Sequence, residues 1–172
     1  MFTKIKHSYL KKKFKNSLAE SIKKRITSQK EILSVGILTT EEISTKVNLQ
    51  EEVEDILNIK NSKIYSFKEY NKLDEISYNH FSEKDLNWRG KFTESSFQNF
   101  LEQPFDLLIS FYNVNNIYLE TATLQSKATF KVGFTNVNSS LFEIEISEKI
   151  SNVKAFCLEL KKYLIVLNKL KN

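Results

Sequence analysis

Residues 105–112 read FDLLISFY, a nearly continuous apolar run that follows Pro104. Such a run is typical of a strand that is buried on both faces of a parallel sheet. The polar segment 113–116 comes next, and its asparagines predict a turn or the N-terminal cap of a helix over 116–126. A second apolar strand follows at 129–134. This strand–helix–strand unit predicts a parallel βαβ arrangement.

The same alternation continues on both sides of this unit. We therefore predict an α/β fold, namely a three-layer, Rossmann-like single domain over 31–172 with a mostly parallel sheet of about five strands. Residues 68–92 are polar and aromatic and show no clear period. The other predicted elements are strands at 33–38, 63–67 and 141–146, and helices at 41–57, 94–102 and 151–170.

The N-terminal segment 1–30 differs in charge from the rest of the chain. It carries a net charge of +9, whereas the whole chain carries +5, so residues 31–172 carry −4. Apolar residues recur every four positions between residues 8 and 29, which predicts a basic amphipathic helix that packs on the domain or projects from it. The apolar positions are Leu10, Phe14, Leu18, Ile22 and Ile26, and the cations proposed as a binding surface are Lys11, Lys12, Lys13, Lys15, Lys23, Lys24 and Arg25.

This basic helix is compatible with several partners. Its lysines could contact the phosphates of RNA or DNA, a peripheral anionic membrane surface, or an acidic protein. Alternatively, the apolar stripe packs on the domain and the lysines only keep the surface solvated.

Polar residues follow three of the predicted strands. In open α/β sheets, ligands bind beyond the carboxyl ends of the strands, so these residues are a possible ligand crevice. They could equally form ordinary caps and turns. No glycine follows the first strand and no Walker-type loop is present, which disfavours both familiar modes of nucleotide binding. The crevice residues are Thr39, Thr40, Tyr112, Asn113, Asn115 and Asn136.

The segment 87–91, NWRGK, contains the only tryptophan of the chain. Trp88 and Arg89 could stack on a nucleic-acid base or a sugar ring. The alternative is that Trp88 anchors an irregular loop against the core while Arg89 and Lys91 face solvent.

The remaining motifs exclude rather than assign chemistry. Two separate histidines, His7 and His80, and one cysteine do not supply the four ligands of a structural zinc site, so we predict no metal and no cofactor. Cys157 falls on the apolar face of the last predicted helix, where a thiol is usually inert. We assign no catalytic residue, and the sequence favours a protein that is not an enzyme.

The sequence shows no transmembrane run of about 18 apolar residues and no secretory signal. A single cysteine gives no evidence of an oxidising compartment. We therefore expect a cytoplasmic protein. Its oligomeric state is not indicated.

Three segments resemble a family of uncharacterised bacterial proteins of about this length that is common in flavobacteria-like genomes. They are NWRGK at 87–91, PFDLLIS at 104–110, and SKA at 126–128 followed by FKVGF at 130–134. This resemblance spans most of the chain and implies no particular activity.

Segments 106–109 and 131–134 are also similar to the middle of the N-terminal half of heptosyltransferase-type glycosyltransferases. The chain is about half the length of such an enzyme and lacks both their donor-binding domain and their glycine-rich turn. This likeness is an analogy of fold.

Two functions follow from these patterns. The first is a non-enzymatic binding module that contacts RNA, a ribonucleoprotein or another acidic partner through the basic helix. The alternative is a small-molecule or sugar-nucleotide binding module, a degenerate glycosyltransferase-like half, with its site at the carboxyl ends of the strands.

Overall fold

The computed structural model describes residues 2–75 and 79–171. Six parallel strands form one sheet in the order β3-β2-β1-β4-β5-β6, and helices flank it. The elements in chain order are α1 (Phe2–Lys24), β1 (Val35–Thr40), α2 (Glu41–Lys46), α3 (Leu49–Leu57), β2 (Lys63–Phe67), β3 (His80–Phe81), α4 (Ser95–Glu102), β4 (Leu107–Phe111), α5 (Ile117–Gln125), β5 (Lys131–Phe134), β6 (Ile144–Ile146) and α6 (Val153–Val166).

The apolar run quoted first forms β4, which lies in the middle of the sheet between β1 and β5. All five of its residues are buried, as expected for a strand covered on both faces. Its neighbour β1 is in register with it, and Ile37 pairs with Ile109. Gly36 of β1 lies against the ring of Phe105, where a Cβ atom would approach Cδ2 to 2.8 Å. A glycine is therefore required at that position.

The predicted α/β class is confirmed, with two differences of detail. The sheet has six strands rather than about five, because β3 adds a two-residue edge strand beside β2. Two residues are too few to produce a recognisable period, so the sequence pattern did not reveal it. All strand pairs in the described part of the chain are parallel, which confirms the predicted mostly parallel sheet. The predicted helix 41–57 is two helices, since Asn48 caps a new helix by accepting a hydrogen bond from the backbone N–H of Glu51.

The N-terminal helix runs from Phe2 to Lys24 rather than over 8–29, and it packs on the domain. Leu10 and Leu18 are buried in the same hydrophobic cluster as the sheet core, and α1 lies against α5. The four-residue spacing turns by about 40° per step around a helix of 3.6 residues per turn. For this reason Ile22 leaves the buried face. Ile26 lies beyond the end of α1 and is 88% exposed. The division into units 1–30 and 31–172 stays a prediction, and its outer limits Met1 and Asn172 lie outside the described residues.

Candidate nucleic-acid interface

Residues 86–92 form a tight turn that is held at its base. Leu86 and Phe92 are buried and form an isolated antiparallel bridge. Within the turn, the backbone N–H of Gly90 donates to the carbonyl of Asn87 at 3.0 Å, and the N–H of Asn87 donates to the carbonyl of Lys91 at 2.9 Å. The buried residues therefore anchor the loop, and the tip is presented outward.

Trp88 lies at this tip and is 61% exposed, so it does not anchor the loop in the core as one interpretation of the sequence suggested. The ring of Tyr9, which is 48% exposed, lies beside it with the two centroids 6.4 Å apart and the planes inclined by 48°. The guanidinium carbon of Arg89 lies 5.0 Å from the indole centroid. Two exposed aromatic rings and a cation thus share one surface.

The turn is fastened to α1 and α5, which holds this arrangement in place. The ammonium of Lys13 donates to the carbonyl of Arg89. The side-chain amide of Gln125 donates to the carbonyl of Gly90 at 2.5 Å. Gly90 has φ +74°, in the left-handed region that favours glycine, and a Cβ there would lie 3.3 Å from the Lys13 side chain.

The seven predicted cations divide into exposed and engaged groups. Lys11, Lys12, Lys15, Lys23 and Lys24 are exposed. Lys13 holds the turn, and Arg25 is half-buried, with its guanidinium donating to the carbonyls of Ser140 and Phe142 and lying 3.5 Å from a Glu143 oxygen. These five lysines belong to the solvent-exposed surface of α1, and we call them the lysine ridge. Lys12, one turn after Tyr9, lies on the same side of the helix as that ring. We call Tyr9, Lys12, Trp88 and Arg89 the basic-aromatic surface.

The structure brings together two features that the sequence presented separately. The basic helix and the Trp88–Arg89 segment meet through the Tyr9–Trp88 contact and the Lys13 hydrogen bond. Tyr9 was not among the predicted site residues. Its place about 100° around the helix from Leu10 is the signal that separates it from the buried face.

The predicted ligand crevice lies at the carboxyl edge of the sheet. With β1 and β4 adjacent, their connections run to opposite sides, and the residues after these two strands face the topological switch point. Thr39 is buried there and donates to the carbonyl of Phe111 at 2.8 Å. Thr40 caps α2 by accepting from the N–H of Ile43. Both threonine side chains thus form internal hydrogen bonds.

Tyr112 is also buried, and its hydroxyl lies 2.8 Å from that of Thr123. Burial raises its pKa well above the usual range of a tyrosine. The amide of Asn136 donates to the carbonyl of Asn113 at 3.1 Å and so links the loops after β4 and β5. Asn115 and Asn136 are exposed. A ligand crevice at this edge stays a prediction, with these asparagines as its most accessible members.

Cys157 is buried on α6 between the helix and the sheet core, as predicted. Burial, together with the charge of Glu52, raises the pKa of its thiol to about 12. Within residues 2–75 and 79–171, no group of three or more His, Cys, Asp or Glu side chains could hold a metal ion. Over the same residues, every helix is too short or too polar to cross a membrane.

A family model described as a family of unknown function, DUF6913, matches residues 6–167. The match includes most of α1, the Trp88 turn and the whole sheet. No curated protein and no solved structure matches the chain. The flavobacterial distribution and the likeness to heptosyltransferase-type enzymes stay predictions.

Proposed function

The chain belongs to the DUF6913 family, whose function is not known, and we propose that it is a binding module for single-stranded nucleic acid, with RNA as the first candidate. In this proposal the basic-aromatic surface holds unpaired bases and the lysine ridge of α1 contacts the phosphates. The module is cytoplasmic and carries out no chemistry of its own.

The observation that carries the proposal is the exposed pair of rings, Trp88 and Tyr9, flanked by Arg89. Removing large aromatic side chains from water is favourable, yet Trp88 is held at the surface on a fastened turn and Tyr9 on the outer side of α1. Base–aromatic stacking contributes about 1–3 kcal/mol per base in single-stranded complexes, and it requires an unpaired base. This requirement favours a single strand over a duplex.

The packing of α1 on the domain favours a nucleic acid over a membrane as its partner. An interfacial amphipathic helix must insert its apolar face into the lipid. Here that face is occupied, since Leu10 and Leu18 belong to the core cluster. The exposed apolar residues of α1, Ile5 and Ile22, are isolated from one another. Exposed lysines make up much of its outer surface, and they suit the regularly spaced phosphates of a nucleic acid.

The charge distribution adds an orienting effect. Residues 1–30 carry a net charge of +9 and residues 31–172 carry −4, so positive charge is concentrated in one part of the molecule. Such a field accelerates association with a polyanion and directs it to the positive side. Binding is therefore expected to weaken steeply as salt is added.

The intrinsic fluorescence of Trp88 tests the proposal directly, because it is the only tryptophan of the chain. A short single-stranded oligouridylate is titrated into the full chain, and indole quenching and the anisotropy of a labelled strand are followed between about 50 and 200 mM salt. We expect saturable quenching that tracks the anisotropy. Absence of binding at the lowest salt, or equal affinity for a duplex of the same sequence, would reject the proposal.

Matched variants separate the surface from general charge and aromaticity. Tyr9→Ala should weaken binding, whereas Tyr163→Ala, which removes an exposed tyrosine from α6, should not. Lys12→Gln with Lys15→Gln should weaken binding more than Lys60→Gln with Lys154→Gln, an equal loss of exposed charge elsewhere. Equal effects from both lysine pairs would indicate attraction by net charge alone.

A second candidate function is favoured by the strand order. The order β3-β2-β1-β4-β5-β6 matches that of doubly wound ligand-binding folds and places a switch point between β1 and β4. A sugar nucleotide or other small molecule bound there would contact Asn113, Asn115 and Asn136. A thermal-melting screen with nucleotide sugars tests this, since ligand binding raises the apparent stability of the native state. Stabilisation that Asn115→Ala abolishes would support it, and a flat screen would remove it.

A further inference from the structure

A second cationic site lies at the opposite end of α1 from the basic-aromatic surface. There the end of α1, the C-terminus of α5 and the beginning of β5 border an open cavity of about 550 Å³. This volume lies within the usual range of small-molecule sites. The charged residues that line it are Lys24, Arg25, Lys127, Lys131 and Glu143.

Lys131 lies half-buried in this cavity. Its ammonium donates to two carbonyls at the C-terminus of α5, that of Thr123 at 2.7 Å and that of Leu124 at 3.3 Å. These carbonyls have no partner within the helix, so the lysine stabilises the helix end. An ammonium has three N–H donors, which leaves one donor of Lys131 for a ligand.

The only carboxylate among the cavity's lining residues is already engaged. One oxygen of Glu143 lies 3.5 Å from Arg25 Nε, and the other accepts from the backbone N–H of Lys131 at 2.6 Å. Four cations therefore face one anion, an excess of three positive charges. Lys24 and Lys127 are exposed at the mouth, and neither makes an ion pair with another described residue.

Repulsion among these cations is destabilising, and a bound anion would reduce it. The pKa of Lys131 is lowered to about 8, first by burial and then by the charges of Arg25 and Lys127, while Glu143 opposes the effect. Neighbouring cations lower one another's pKa, and an anion bound among them stabilises the protonated form of each. Capping the end of α5 accounts for Lys131 alone, so it does not explain why Lys24 and Lys127 also line the cavity.

We propose that this cavity binds a phosphate monoester group, held by Lys24, Lys127 and the remaining donor of Lys131. A phosphate monoester carries a charge of about −1.5 to −2 at neutral pH and three strong acceptor oxygens, which fits an excess of three cations better than a carboxylate does. The hydroxyl of Ser21, which also lines the cavity, supplies a neutral donor. The group could come from a free phosphate compound or from the terminal phosphate of a strand lying along α1.

Titration of the full chain with inorganic phosphate, followed by amide ¹H–¹⁵N NMR, tests the proposal without nucleic acid. The result is therefore independent of the function proposed for the basic-aromatic surface. We expect saturable shifts at Ser21, Thr129 and Lys131, and a loss of affinity of about tenfold or more in Lys24→Gln/Lys127→Gln. Lys24→Arg/Lys127→Arg should retain binding, and so should the control Lys60→Gln/Lys154→Gln.

Two further measurements decide the outcome. Affinity should fall as pH rises through about 8, because Lys131 loses its proton there. Shifts that never saturate, or that persist unchanged in the double Gln variant while its thermal melting is unaltered, would overturn the proposal. Given saturable phosphate binding, tighter binding of an oligonucleotide with a terminal phosphate than of its hydroxyl-ended counterpart assigns the group to a strand end. Equal affinity of the two oligonucleotides assigns it to a free phosphate compound.

Discussion

Two regions of this molecule carry clustered polar side chains, and they differ in what those side chains contact. At the carboxyl edge of the sheet, Thr39, Thr40 and Tyr112 form hydrogen bonds within the protein. On the α1 side, which comprises α1, the Trp88 turn and the cationic cavity, Trp88 and most of the lysines remain exposed.

This difference shows that a polar side chain is a candidate for binding only if its donors or acceptors are not already used within the protein. A buried hydroxyl that already donates to a carbonyl has that donor committed, and removing the bond costs stability. An exposed ring or ammonium has no such commitment. We therefore place the proposed function on the α1 side, and we interpret the hydrogen bonds of Thr39 and Tyr112 as structural.

The largest expected effect concerns Lys131. Because its folded pKa of about 8 lies below the unfolded value, the unfolded chain binds more protons between about pH 8 and 10.5. The native state therefore gains stability as pH rises through that window, by about 1 kcal/mol per pH unit and about 2–3 kcal/mol in total. Lys131→Met should lack this gain when both chains are unfolded in urea from pH 7 to 10.

The raised pKa of Cys157 acts in the opposite direction above about pH 9, since the unfolded thiol ionises first. It acts equally on the wild type and on Lys131→Met, so the difference between the two curves isolates Lys131. If the difference in free energy of unfolding between the two chains is independent of pH, the pKa of Lys131 is not lowered. The electrostatic support for an anion in the cavity would then be lost.

The next effect sharpens the comparison at its exposed side. Trp88→Ala should weaken binding of a single-stranded oligonucleotide by about 1–3 kcal/mol, or roughly 5- to 150-fold, because one stacked base is lost. The melting temperature should change little, since Trp88 is exposed and the turn is held by Leu86 and Phe92. Fluorescence anisotropy and calorimetry measure the two quantities. Loss of stability without loss of binding would reverse our assignment.

A smaller effect tests the carboxyl edge. Thr39→Val removes the donor to the Phe111 carbonyl and should lower the free energy of unfolding by about 1 kcal/mol, with nucleic-acid affinity unchanged. The control is Thr135→Val, at an exposed threonine in the loop after β5, which should alter neither quantity. Denaturant unfolding measures the difference. An unchanged stability for Thr39→Val would reopen this edge as a binding site.

The smallest effect concerns the charge of the ridge. Each phosphate contact removed from a single-strand complex should reduce the slope of log affinity against log salt by about 0.7. Lys12→Gln should show this change, and Lys154→Gln on α6 should leave the slope as it is in the wild type. Identical slopes for both variants would place the strand elsewhere on the molecule.

The fold was largely predictable because its elements are locally encoded. The run at 105–112 contains only one charged residue, Asp106. Its carboxylate accepts hydrogen bonds from the backbone N–H groups of Leu33 and Ser34 and from the Ser34 hydroxyl, just before β1 begins. The strand β3 escaped prediction because two residues pair only where β2 already offers an edge. Helix α1 was predicted, but its burial ends earlier than the repeat suggests, since a four-residue repeat drifts around the helix.

The candidate site was only half predictable. The cations of the basic helix and the pair Trp88 and Arg89 stood out by composition, but the partnership of Tyr9 with Trp88 did not. Lys127 and Lys131 were overlooked for a similar reason. Neither lies in a charged run, and they share a cavity with Lys24 and Arg25 only because the ends of α1 and α5 meet there.

By itself, the sequence determined the alternation of strands and helices, the all-buried central strand and the concentration of positive charge in residues 1–30, because period, hydrophobicity and charge are local properties of the chain. Only the tertiary structure decided which polar groups are free to bind. That depends on partners distant in sequence. The Thr39 hydroxyl donates to the Phe111 carbonyl, and the Lys13 ammonium donates to the Arg89 carbonyl, whereas Trp88 remains exposed to solvent.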